Sequence, residues 1–159
     1  MTAFEQLPDS TRLWIYQSNR ELTDTELVQI NDQLVHFTTQ WVSHARSLRA
    51  FGQVFHRRFI VLMVDESQSG ASGCSIDSSV HFVRSLEGQY GITLFDRMNF
   101  AYEENGAVKT AAKPQFAELY AAGAIGDQTL VFDNLVKTKG DFVRAWRKPL
   151  SESWHKRFV

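Results

Sequence analysis

The chain's single cysteine lies close to an aspartate and a histidine, and these three residue types can build a thiol-based active site. Cys74 stands in the stretch SGASGCSIDSSVHF, residues 69–82, directly before a predicted helix. The N-terminus of a helix favours a thiolate, and Asp77 could orient His81 because the two are four residues apart on one helical face. The sequence therefore offers Cys74, Asp77 and His81 as candidate catalytic residues of a small enzyme.

The spacing of these residues weakens that hypothesis. Seven residues separate Cys74 from His81, which is about 10 Å along a helix axis. We expect no direct contact between the thiol and the imidazole at that separation. Free cysteines are more often core residues, so a buried Cys74 in a tight turn is the favoured alternative.

The same stretch is rich in glycine and serine, whose backbone amides could hold an anion. We expect Ser75 or Asp77 to cap the helix, which leaves the amides of the preceding loop exposed. Amides that converge at a helix N-terminus bind phosphate-like groups. A small anionic ligand is therefore one expected partner. The candidate anion-binding loop consists of Ser69, Gly70, Ser72, Gly73 and Ser75.

Basic and aromatic residues alternate near the end of the chain, and two arginines follow a predicted strand. Residues 139–159 contain six basic and two acidic side chains, a local net charge of +4. The candidate surface contacts are Arg57, Arg58, Trp146, Trp154, His155 and Arg157. Alternatively, the rings pin the tail onto the body while the charges stay in solvent. We favour this alternative and expect no nucleic-acid partner, because the whole chain has a net charge of −1.

The elements that must position these residues begin with a strand and a long helix. Residues 13–16 suggest a short apolar strand, and Thr23 with Glu26 forms a capping box that starts the helix. His36 falls outside the apolar stripe of that helix and is expected to be a solvated or flanking residue. The stripe has spacings of three and four: Leu27, Ile30, Leu34, Phe37 and Trp41.

Two further strands and a second helix follow. Residues 48–56 suit a strand in which Gly52 marks a bulge or a close approach, and residues 59–65 read as a strand covered on both faces. The second helix is expected over residues 76–89. A strand at residues 98–103 would then complete the element order of a ferredoxin-like split βαβ fold.

The rest of the chain reads as a hairpin, a helix and a strand, with Asn105-Gly106 as the hairpin turn. We therefore expect an α+β protein with a ferredoxin-like core in residues 1–104. Its sheet would be mainly antiparallel, with the helices on one face. Residues 105–159 would form a C-terminal hairpin-helix-strand extension packed on that core, and the whole chain would be a single compact unit.

Segments along nearly the whole chain resemble a family of small uncharacterised bacterial proteins that often carry the label ABC transporter ATPase. The resembling segments are WIYQSNR, RFIVLMVDE, ASGCSIDSSVHF, LFDRMN, VFDNLVKTK and SWHKRF. The label implies ATP hydrolysis, which in that class requires the motif G-x-x-x-x-G-K-[S/T]. The chain contains no Gly-Lys pair, so we expect a family member without ATPase activity.

Composition limits the remaining classes of function. Of the 159 residues, 43% are hydrophobic and 13% are aromatic, as in an aromatic-rich globular protein. One cysteine excludes an internal disulfide, no H-x-x-x-H pair occurs, and no apolar run could cross a bilayer. We expect a cytoplasmic protein with no metal, no cofactor and no membrane partner. The favoured function is a non-catalytic binding or adaptor protein with a small anionic ligand or a protein partner, and the alternative is an enzyme that uses Cys74 as nucleophile or redox thiol.

Overall fold

The computed structural model describes residues 1–159. The chain forms two compact units. The first unit comprises Met1–Phe95 with Lys137–Gly140, and the second comprises Asp96–Val136 with Asp141–Val159. Each unit combines helical segments with its own antiparallel sheet. The predicted α+β class is confirmed.

The first unit is built on a three-stranded antiparallel sheet. Its elements in chain order are β1 (Arg12–Gln17), α1 (Asp24–Gln40), β2 (Val42–Ser43), β3 (Arg46–Ser47), β4 (Arg49–Phe55), β5 (Phe59–Asp65) and α2 (Gly73–Tyr90). The sheet has the order β1-β5-β4, which is the order of a split βαβ unit. All seven residues of β5 are buried, as its continuous apolar sequence predicts.

The predicted capping box starts α1. The Thr23 hydroxyl accepts a hydrogen bond from the Glu26 amide, and the Glu26 carboxylate accepts one from the Thr23 amide at 2.9 Å. Arg20 also donates to both Glu26 carboxylate oxygens at 2.8 Å. These bonds, chiefly those from Arg20, lower the pKa of Glu26 to about 2.

At Gly52 the strand β4 approaches α1 closely. A Cβ atom at this position would lie 3.1 Å from a methyl group of Leu62, 3.2 Å from one of Thr38 and 3.3 Å from one of Leu34. The strand pairs regularly here, with Gly52 opposite Leu62. The sequence predicted a bulge or a close approach, and the structure shows the close approach.

The second unit has a four-stranded sheet of order β7-β6-β8-β9. Its elements are β6 (Asn99–Glu104), β7 (Ala107–Ala112), α3 (Lys113–Ala121), β8 (Leu130–Phe132), α4 (Lys139–Ala145) and β9 (Arg147–Pro149), with the first residues of α4 in the first unit. The predicted turn joins β6 to β7, with φ of 52° at Asn105 and 78° at Gly106.

The strand expected at residues 98–103 does not join the first sheet, which corrects the four-stranded ferredoxin-like arrangement. This strand is β6, and it pairs with β7 and β8. The short hairpin favours the local pairing, and the outer edge of β1 already pairs with the segment around Thr138. There the Leu13 amide donates to the Lys137 carbonyl oxygen at 3.1 Å. None of the helices combines the length and the apolar character needed to cross a bilayer.

Candidate functional site

The N-terminus of α2 lies earlier in the chain than the sequence indicates. The helix begins at Gly73, and its N-cap is Ser72, whose hydroxyl accepts a hydrogen bond from the Ser75 amide. Ser75 and Asp77, the expected caps, therefore lie inside the helix. Ser72 takes the role because serine is a strong N-cap residue and Ser75 donates its hydroxyl back to the Ser72 carbonyl oxygen at 2.8 Å.

Cys74 is exposed, so the expectation of a buried cysteine in a tight turn is wrong. It lies in the first turn of α2, beyond the cap, on the outward side of the helix. Asp77 and His81 are also exposed and share one face with Cys74, three and seven residues further on. The structure shows no hydrogen bond among the three side chains, and nothing orients an imidazole toward the thiol.

The glycine-serine loop before α2 contains a carboxylate of the protein itself. Glu66 Oε2 accepts a hydrogen bond from the Ala71 amide at 2.9 Å. A Cβ atom at Gly70 would lie 3.1 Å from that same oxygen, and Ser69 is half-buried beside it in the chain. An anion held by Ser69, Gly70, Ser72, Gly73 and Ser75 would therefore meet a negative charge and a cap that is already formed.

Asp65, at the end of β5, has a structural role. It is buried, accepts a hydrogen bond from the Ser67 amide at 3.0 Å and lies 3.2 Å from the Arg49 guanidinium. The Ser67 bond, with the Arg49 charge adding to it, lowers the pKa of Asp65 against the opposing effect of burial. This carboxylate stabilises the turn that follows β5.

A groove of about 500 Å³ runs between α1 and the first half of α2. Aromatic rings form much of it. Phe37 and Phe82 stack at a centroid distance of 4.5 Å with 11° between their planes, and Trp41 lies 5.1 Å from Phe37. We call this cavity the aromatic groove and define it by Phe37, Trp41 and Phe82.

Polar side chains line the rest of the aromatic groove. They are Asp32, Gln33, His36 and Gln40 from α1 and Ser78 from α2. Gln33 donates to the Tyr90 hydroxyl at 2.7 Å, whereas Asp32 is exposed and makes no ion pair. A groove of this size with apolar walls and a few polar groups has the features of a binding site.

Three exposed valines lie on or near the helix that forms one wall of the groove. Val28 and Val35 on α1 are 64% and 43% exposed, and Val42, which also lines the groove, is 46% exposed. The two helix positions are seven residues apart and therefore lie on one face. That face is about half a turn around the helix from Phe37, so Val28 and Val35 lie outside the groove and only Val42 adds exposed apolar surface to it.

Sequence reasoning missed this groove. His36, expected to be a solvated or flanking residue, is exposed and also lines the cavity. The available signal is Phe82, an aromatic residue of the second helix that lies outside the apolar spacing of Ile76, Val80, Val83 and Leu86. A large ring at such a position has to pack against something other than the sheet.

The two arginines proposed as surface contacts interact with acidic residues of this chain. Arg57 lies 2.8 Å from a Glu21 oxygen and 2.7 Å from an Asp24 oxygen, and these partners raise its pKa. Arg58 is half-buried, and burial lowers its pKa while the charge of Glu21 opposes that effect.

Most of the C-terminal candidates belong to the core of the second unit. His155 is 1% exposed and Trp146 is 5% exposed, so neither is a surface contact, and only Arg157 is exposed. Trp154 is half-buried, stacks on the His155 ring and donates to Asp133 at 2.8 Å. Aromatic rings of the tail pack against the core that includes Phe100, Phe116 and Leu150, and this contact removes apolar surface from water.

Burial sets the charge state of His155. Its ring packs edge-on to Phe100 at 5.1 Å and contacts Phe116. Removal from water lowers the pKa of His155 to about 4, although the Asp133 charge acts in the opposite direction. The side chain is therefore neutral at physiological pH and acts as a core residue.

Comparisons with known proteins give no relatives. No family model, curated protein or solved structure matches the chain. The structure also contains no group of three or more His, Cys, Asp or Glu side chains that could hold a metal ion. Functional assignment therefore rests on the geometry of the first unit.

Proposed function

We propose that the protein is a non-catalytic binding protein that receives an apolar side chain of a partner polypeptide in the aromatic groove. The observation that carries the proposal is the cavity itself, about 500 Å³ between two helices with a stacked aromatic pair in its wall. Apolar side chains of a bound segment gain free energy by leaving water for such a surface.

A polypeptide fits the surroundings of the groove better than a small molecule does. A small ligand would be confined to the cavity, whereas a polypeptide that crosses α1 can also cover Val28 and Val35, which are exposed on the other side of this helix from Phe37. Grooves between helices that bind peptides use an apolar anchor and flanking contacts of this kind. Exposed apolar surface next to a groove is typical of an interaction site.

The test is a selection of peptides from a random display library against the full-length protein. The variant Ser78→Trp fills the groove, because Ser78 lines it. Ser151→Trp is the matched control, since Ser151 is an exposed serine of the second unit. We expect selected peptides to bind the wild type and the control equally and to bind Ser78→Trp at least about tenfold more weakly.

Two results would overturn the proposal. One is a selection that yields no binding peptide, and the other is a set of peptides whose affinities are unchanged by Ser78→Trp. Thermal unfolding of both tryptophan variants has to show that they remain folded, so that lost binding reports on the groove.

A second candidate function rests on the exposure of Cys74 in the first turn of α2. In this case the protein would be a small enzyme or redox protein with Cys74 as its reactive thiol, supported by Asp77 and His81. A ligand or partner would have to bring these groups together, because they make no contact in the free protein. The reactivity of the thiol distinguishes this candidate from the binding function.

The resemblance to proteins labelled ABC transporter ATPase is compatible with both candidate functions. Neither candidate includes the ATP hydrolysis that the label implies. We propose that the chain is related to that family and does not hydrolyse ATP. The support is the sequence, which has no Gly-Lys pair from which a phosphate loop could be built.

A further inference from the structure

We infer that the partner segment carries an arginine or lysine next to its apolar anchor and that this cation pairs with Asp32. The inference rests on the proposed function and adds the charge of the partner to it. Its basis is the distribution of paired and unpaired charges around the aromatic groove.

Asp32 is the unpaired carboxylate of the groove. It lines the cavity, is exposed and makes no ion pair or hydrogen bond. The other two acidic residues of α1 are already paired, Asp24 with Arg57 at 2.7 Å and Glu26 with Arg20 at 2.8 Å. The negative charge of Asp32 is thus left for a ligand to neutralise.

No lysine or arginine lines the groove, and α1 contains neither residue. The facing stretch of α2 contributes Ser78 and Phe82 to the lining. Its one arginine, Arg84, lies 3.2 Å from Glu87 and stands over the Phe95 ring. His36 is the only other titratable group of the lining. The Met1 ammonium donates to Thr39 Oγ1 of α1 at 3.3 Å, outside the lining. Within the lining, an acidic segment would meet the Asp32 carboxylate, whereas a basic one would gain an ion pair.

A carboxylate that lines the same groove as aromatic rings favours a long basic side chain in particular. The methylene groups of arginine or lysine can cover the exposed edge of the rings while the charged end reaches the carboxylate. An arginine can in addition donate two parallel hydrogen bonds to one carboxylate. A neutral polar residue would form no ion pair with the carboxylate.

The experiment uses the peptides selected for dependence on the groove, at about pH 8, where unperturbed histidines are neutral. We expect these peptides to be enriched in arginine or lysine near an aromatic or aliphatic residue. Asp32→Asn should weaken the tightest of them about two- to fivefold at low salt, and less at about 500 mM NaCl. Glu5→Gln is the control, because Glu5 is an exposed unpaired carboxylate of the same unit outside the groove.

A matched peptide in which citrulline replaces the arginine completes a double-mutant cycle with Asp32→Asn. It should bind the wild type about as weakly as the arginine peptide binds Asp32→Asn, and Asp32→Asn should not weaken it further. Groove-dependent peptides without basic residues, or equal losses in Asp32→Asn and Glu5→Gln, would overturn the inference and leave the proposed function intact. Peptides that bind Ser78→Trp as well as the wild type would overturn both.

Discussion

The indole nitrogen of Trp41 donates a hydrogen bond of 2.8 Å to the carbonyl oxygen of Ser75. Trp41 is the C-cap residue that follows the last residue of α1, and Ser75 lies in the first turn of α2. The bond therefore joins the end of one helix to the beginning of the other, 34 residues apart in the chain. Because Trp41 also packs on Phe37, it holds the wall of the aromatic groove in place.

We expect Trp41→Phe to lower the free energy of unfolding by about 1–3 kcal/mol, since it removes this buried bond and some ring contact. Urea unfolding measures the effect. Trp14→Phe is the control, because the Trp14 indole packs against Trp41 at 6.0 Å but makes no hydrogen bond. Equal losses in the two variants would show that the bond to Ser75 contributes nothing beyond packing.

A methyl group at Gly52 should destabilise the protein. Gly52→Ala places a Cβ atom 3.1–3.3 Å from side chains of Leu62, Thr38 and Leu34, and overpacking of this kind costs about 1–3 kcal/mol. Gly88→Ala is the control within α2, where a Cβ atom meets nothing within 4 Å. That variant should gain up to about 1 kcal/mol, because alanine is a better helix former.

Urea unfolding of both alanine variants checks the pair. A neutral Gly52→Ala would mean that β4 and α1 separate easily to accept the methyl group, and it would contradict the close approach. A loss in Gly88→Ala would point to a constraint on α2 that its open surroundings do not show.

Local features of the fold could be predicted because neighbouring residues determine them. The capping box at Thr23, the turn at Asn105-Gly106 and the buried strand β5 all depend on short stretches of sequence. The pairing of the strand at residues 98–103 could not be read in this way. It depends on whether a distant strand edge is free, and the edge of β1 is taken by the segment around Thr138.

The candidate site was harder to predict for the same reason. The groove arises where two helices meet, and no short motif records their contact. Charge was also misleading near the end of the chain. Lys139, counted among solvated cations, is 8% exposed and donates to the carbonyl oxygens of Phe4 and Leu7 at 2.7 Å each.

Acid should weaken the protein through His155. The pKa of this histidine is about 4 in the folded protein and about 6.5 in the unfolded chain. Between these values the unfolded chain takes up a proton that the folded protein does not, so the free energy of unfolding falls as the pH falls from about 6.5 to about 4. By pH 5 the loss should be about 2 kcal/mol.

The comparison with His155→Phe isolates this effect. The variant has no proton to gain at this position, so the corresponding part of the pH dependence should disappear whatever its absolute stability. Measurements above pH 5 avoid the titration of Glu26, whose lowered pKa of about 2 contributes stability that is lost only at more acidic pH. An unchanged slope between pH 6.5 and 5 would contradict a neutral, buried His155.

ATP should neither bind tightly nor be hydrolysed, because the sequence offers no lysine after a glycine-rich loop. Calorimetric titration with Mg-ATP and a phosphate-release assay check this on the purified protein. Micromolar binding that disappears when Gly70 and Gly73 are both replaced by alanine would contradict the prediction and would restore the loop before α2 as a phosphate site.

The native protein should react with iodoacetamide without denaturant, because Cys74 is exposed in the first turn of α2. If the protein is a binding protein, no neighbouring group activates the thiol. The alkylation rate of Cys74 at pH 7 should then stay within about threefold of the rate in the urea-unfolded chain, after correction for the effect of urea on the reaction. Asp77→Asn and His81→Gln should leave that rate unchanged, and Cys74→Ser should keep full affinity for groove-dependent peptides. A native rate at least about tenfold higher, lost in His81→Gln, would mean that the imidazole activates the thiol. That result would favour the enzyme over the binding protein, because a histidine that activates a thiol is typical of an active site and is not expected beside an unreactive surface cysteine.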